Sequence, residues 1–70
     1  MVLNERQKLI LDSIISEYIQ LASPVSSQWI EGKYQLGISP ATIRSEMKIL
    51  TDEGYLIQPH TSAGRIPAYK

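Results

Sequence analysis

Residues 58 to 67 read QPHTSAGRIP, two prolines enclosing small polar residues, a glycine, one histidine and one arginine. Three chemistries use such residues: a serine activated by His60, a glycine-containing phosphate loop, or an anion contact made by Arg65. The first lacks a credible acid and an oxyanion partner in so short a chain. The second lacks the Gly-x-x-x-x-Gly-Lys spacing that lets backbone amides cradle a phosphate. Contact with an external anion remains. A second group, Ser39, Pro40, Ala41, Thr42, Arg44, Ser45 and Lys48, offers the same chemistry with small side chains between longer polar ones.

The inventory excludes much else. With no cysteine and one histidine, neither a thiol nucleophile, a disulfide framework nor a Cys/His metal site can be assembled, so no metal and no cofactor is expected. Seventy residues make a single domain, 1–70, too small for a deep catalytic cleft, and no enzyme is expected. No apolar run reaches membrane-spanning length, and the N-terminal MVLNERQK is not a signal peptide, which points to a cytoplasmic setting. The net charge is zero, so any case for nucleic acid must rest on local placement. The C-terminal half carries Arg44, Lys48, Arg65 and Lys70 against Glu46, Asp52 and Glu53, a slight excess of cations.

The elements that would position these groups have clear boundaries. Asn4 with Gln7 three residues on is a capping-box pattern, and Ile10, Leu11, Ile14, Ile15, Tyr18 and Ile19 follow on one side of a first helix, stopped near Pro24. Ser26 and Ser27 offer a new cap, and a second helix is expected over about 27–34 with Ile30 and Tyr34 inward. Gly37 suits a tight turn. The third helix, 40–53, has Ser39 as N-cap, Pro40 at the first helical position, an Ile38/Ile43 staple, and Gly54 placed for a Schellman stop with Leu50 and Tyr55 in contact. Ile43, Met47 and Leu50 face the core, which leaves Ala41, Arg44, Ser45 and Lys48 outside with Thr42 at the edge. Ile49 falls outside the core stripe. YLIQ and RIPAY then read as strands around the PHTSAG loop, the prolines confining the returning strand to an edge.

Three helices followed by a β-hairpin define a mainly α (α+β) architecture, a winged helix-turn-helix in which QPHTSAGRIP is the wing. Such a fold presents the start of its third helix to the major groove, where Ser39, Ala41, Thr42, Arg44 and Ser45 would meet base edges and the free amides beside Ser39 a phosphate. An arginine on the wing would meet the flanking backbone or minor groove. A bland counterpart accompanies each role: Arg44 as a solvated helix residue paired with Asp52, His60 as a ring covering apolar surface, Trp29 as packing. Winged helices also serve as protein-interaction modules without DNA binding, and an exposed Trp29 and Ile49 would suit that use.

The string from PVSSQWIEGKYQLGISPATIR to QPHTSAGRIP resembles the N-terminal DNA-binding domain of the HrcA family, bacterial heat-inducible transcription repressors. GISPATIR and QPHTSAGRIP carry most of the likeness. The resemblance implies a repressor of heat-shock and chaperone genes that binds double-stranded DNA at an inverted-repeat operator, acts as a dimer in the complete protein, and is linked to the GroE chaperonin through a region beyond this chain. The 70 residues would then be one domain of a longer repressor, monomeric alone, nucleoid-associated in the cell. It carries the recognition-helix role onto Ser39, Pro40, Ala41, Thr42, Ile43 and Arg44, and the wing role onto His60, Thr61, Ser62, Ala63, Gly64 and Arg65. Trp29, Gly32 and the terminal PAYK depart from the family pattern.

Overall fold

The computed structural model describes residues 2–60 and 64–68. The wing-tip assignments to Thr61, Ser62 and Ala63 lie outside the described residues.

Helix α1, Glu5–Leu21, begins with the full capping box. The Asn4 side chain accepts from the Gln7 amide at 2.7 Å, and the Gln7 side chain accepts from the Asn4 amide at 3.0 Å. Two orphan donors are thereby satisfied at once. The helix ends at Ala22, which takes the left-handed conformation (φ 53°) and returns its amide to the Tyr18 carbonyl. Ile10 and Ile14 are fully buried and Leu11, Ile15 and Tyr18 partly so, but Ile19, placed in the same stripe by periodicity, is 76% exposed. The reason is that Gln7, Ser13 and Glu17 occupy the buried face. Polar residues add nothing to an apolar count, so the true face is turned away from the apparent one. At 100° per residue Ile19 falls roughly opposite its centre.

Helix α2, Ser27–Lys33, is capped by Ser26, whose hydroxyl accepts from the Trp29 amide at 3.1 Å. Ile30 is buried, and Tyr34 leaves the helix as its extended C-cap. Gly37, at φ 71°, turns the chain into α3, Pro40–Asp52. Both ends of α3 are fixed as its sequence implies. Ser39 accepts from the Thr42 amide at 3.2 Å, while Gly54 (φ 86°) donates to Thr51 and Tyr55 to Leu50, the two hydrogen bonds of a Schellman stop.

Strands β1, Leu56–Ile57, and β2, Ile66–Pro67, pair antiparallel with Leu56 opposite Pro67 and Ile57 opposite Ile66. The returning strand is not an edge at its root. Arg65 and Val25 exchange two backbone hydrogen bonds of 2.8 Å, so the segment between α1 and α2 forms a third, one-residue strand on the far side of β2. Pro67, without an amide proton, cannot extend that pairing. Beneath lie Ile10, Ile14, Val25, Ile30, Ile43, Met47, Leu50 and Leu56, one core to which the three helices, β1 and the Val25 segment contribute.

Candidate nucleic-acid interface

The doubly capped helix α3 determines what the molecule presents. Ile43, Met47 and Leu50 anchor one face in the core, and Glu46 is buried beside them. Ser39, Pro40, Ala41, Arg44, Ser45 and Lys48 are exposed as a consequence, and Thr42 is half-buried. The Ser39 hydroxyl is engaged twice, accepting from the Thr42 amide and donating to the Thr42 hydroxyl at 2.9 Å. Its first role is therefore the cap. The outward face has small side chains at Ala41 and Ser45 flanked by two long cations at Arg44 and Lys48.

Those cations are lightly held. Lys48 lies 3.6 Å from Asp52 one turn on, and Arg44 Nη1 lies 3.8 Å from Glu31 Oε1 on α2. Both separations exceed charge-assisted hydrogen-bond length, and pairs this exposed contribute little to stability. The sequence pairing of Arg44 with Asp52 is thus replaced by two separate pairs, Asp52 serving Lys48 and an α2 carboxylate serving Arg44.

Arg65 stands at the root of the wing rather than out along it. Its backbone is held by Val25, and its Nε donates to the Thr51 hydroxyl at 2.9 Å, which itself donates to the Met47 carbonyl. The side chain is half-buried along the C-terminal half of α3. His60 is exposed on the hairpin. Between α2, α3 and the wing root lies a cleft of about 290 Å³ whose walls include Ser26, Ser27, Gln28, Arg44 and Arg65. The two arginines, separate in sequence, come to one cleft with the α2 residues opposite through the Val25 pairing, which no local pattern in the sequence announces.

Gly64 is required by close backbone approach: a Cβ there would sit 2.3 Å from the Val25 carbonyl carbon and oxygen and 2.6 Å from the Ser26 nitrogen.

The neutral total charge is unevenly spread. Glu17 is fully enclosed, accepting from the Trp29 indole N–H and from the Tyr34 hydroxyl at 2.8 Å, with Lys33 Nζ 3.1 Å away. These partners, the indole first, hold its carboxyl below the ordinary glutamate value against the opposing effect of burial. Glu46 is likewise buried, taking Arg6 Nε at 2.7 Å and Gln7 Nε2 at 3.4 Å. Two of the seven acidic groups are therefore internal, each neutralising a cation that does not belong to the outward face of α3. Trp29 is 46% exposed and acts as a hydrogen-bond donor as much as an apolar surface.

Among the described residues no group of His, Cys, Asp or Glu could hold a metal ion, and no helix is long and apolar enough to cross a membrane.

Three helices, the second and third joined by the Gly37 turn, with an antiparallel two-stranded wing, make this a winged helix-turn-helix protein. Its sequence is homologous throughout to the N-terminal region of the HrcA family. The chain is 59% identical over 70 residues to the heat-inducible transcription repressor HrcA of Acetivibrio thermocellus and 60% identical over 70 residues to that of Alkaliphilus metalliredigens. It is 58% identical over 67 residues to HrcA of Carboxydothermus hydrogenoformans. It is matched over 100%, 100% and 96% of its own length respectively and spans 20% of each relative. A solved crystal structure, described as that of a hypothetical protein, superimposes with a TM-score of 0.87 at 52% identity, over 93% of this chain and 21% of the other. No protein-family model matches the chain.

Proposed function

We propose that this chain is the DNA-binding module of a transcriptional repressor, docking α3 in the major groove of double-stranded DNA and its wing on the flanking backbone. The observation that carries the reading is the outward face of α3: Ala41 and Ser45 permit close approach, Arg44 and Lys48 extend beside them, and both helix ends are fixed by caps. Ser39, Pro40 and Thr42 set the start of that helix beside the sugar-phosphate backbone, and Arg65 and His60 lie on the wing side. Thr61 and Ser62 are proposed contacts from sequence resemblance alone. The relatives are named as heat-inducible transcription repressors, which supports a role in the stress response inside the bacterial cell. An inverted-repeat operator, dimerisation and a chaperonin link are carried by the sequence resemblance alone and would concern the full length of relatives of which this chain spans 20%.

The test is titration of labelled duplex at two salt concentrations, using the sequence this chain selects from a randomised pool and a scrambled version of it. Binding should weaken steeply with salt, and the selected duplex should be preferred. Absence of both would remove DNA as the partner. A protein-interaction role would then gain ground, since Trp29 and Ile49 are 46% and 40% exposed.

A further inference from the structure

Glu31 sits behind the DNA-facing surface, on α2, with its side chain only 21% exposed. Its Oε1 is buried and has no hydrogen-bond partner among the described residues. The nearest cationic nitrogen is Arg44 Nη1 at 3.8 Å, about 1 Å too far for a charge-assisted hydrogen bond. A buried carboxylate oxygen without a donor is costly, and the cost grows when a bound duplex expels the remaining water. Arg44, 60% exposed, has the freedom to close that gap.

We infer that Glu31 is a positioning residue for DNA recognition, which takes one edge of the Arg44 guanidinium when duplex binds and thereby makes Arg44 a selective rather than a general contact. This rests on the DNA-binding reading above. A guanidinium presents five donors in one rigid plane. With one nitrogen committed to Glu31, the plane is fixed and the remaining donors suit a partner having two acceptors in that plane, such as the O6/N7 edge of guanine. A phosphate makes no such demand, because it accepts from any direction. The carboxylate also offsets the attraction of Arg44 for the backbone at large, so it lowers sequence-independent affinity while orienting the specific contact. Arg65 across the cleft differs. Its Nε is oriented by the neutral Thr51 hydroxyl, so its charge remains undiminished for phosphate.

The test compares wild type, Glu31→Gln, Glu31→Asp, Arg44→Ala and the Glu31→Gln/Arg44→Ala pair on the selected and scrambled duplexes at two salt concentrations, with thermal melting to verify folding. Glu31→Gln should bind scrambled duplex more tightly, with a salt slope steeper by about one counterion, while preference for the selected duplex falls about fivefold or more. Glu31→Asp retains the charge but not the reach, and should lose preference without the steeper slope. In the Arg44→Ala background Glu31→Gln should leave preference unchanged. Wild-type preference in Glu31→Gln, or an equal loss in the absence of Arg44, overturns the inference and leaves the DNA-binding reading intact. A wild-type chain that does not discriminate between the duplexes overturns both.

Discussion

Two glycines show how differently one residue type can be required. At Gly64 the backbone of Val25 and Ser26 occupies the space of a Cβ, and backbone cannot swing aside as a flexible side chain would. Gly64→Ala should therefore destabilise the fold by about 1 to 3 kcal/mol, the usual range for overpacking, and expose the Val25 amide to exchange. An unchanged melting temperature would show that the wing root and the α2 start are not in contact in solution. Gly32 is the opposite case. It lies within α2 with open space around it, so Gly32→Ala should raise stability by up to about 1 kcal/mol through helix propensity, read in the same melts. The cost of Gly32 follows from local chemistry; the demand at Gly64 needed the position of a segment about forty residues away.

Among the elements, α2 is the shortest helix; it packs on α3 and is tied to α1 through Glu17. The carboxyl of Glu17 is held below its ordinary value of 4.5 by Trp29, Tyr34 and Lys33. A depressed carboxyl contributes stability that is fully present above that ordinary value and is lost as pH falls through the folded-state value. Glu17→Gln should accordingly lower the melting temperature at neutral pH and flatten its decline under acid conditions. A variant whose acid limb parallels that of the wild type would assign the decline to other carboxylates. Helix α3 was legible at both ends because the Ser39 cap and the Schellman glycine lie within a few residues of what they satisfy. The face of α1 was only half legible: Gln7 and Glu17 are buried by partners on other elements, and a period drawn through apolar residues passes over them. In the site, the exposure of Ala41, Arg44, Ser45 and Lys48 followed from the core positions between them. The Glu31 partnership and the shared cleft of Arg44 and Arg65 did not, since both arise where separate elements meet.

Across the whole molecule, a zero sum of charges coexists with a cation-bearing face because Arg44 and Lys48 are exposed on α3 while Glu46 of the same helix is buried against Arg6 and Gln7. A module of this size covers only about 600 to 1,000 Å² on DNA, so its hold on a single half-site at physiological salt should be weak. Two copies joined by an unrelated dimerisation module, with a linker spanning two half-sites, should bind an inverted repeat at least about tenfold more tightly than one copy, through effective concentration alone. Sedimentation should find the 70-residue chain monomeric. Tight inverted-repeat binding by a strict monomer would contradict the idea that a second copy supplies the affinity.

The pairing of Val25 with Arg65 also sets the order in which the protein can be completed. During synthesis α1, α2 and α3 leave the ribosome in turn, each with most of its capping groups already in hand. Val25, however, waits for a partner forty residues downstream, and that pairing encloses both α2 and α3 within one closed loop. Long-range backbone pairing repays its loop-closure entropy only when the last contact forms. Helices as short as α2 and α3 are marginal without tertiary packing, so the core around them is completed only as the wing emerges.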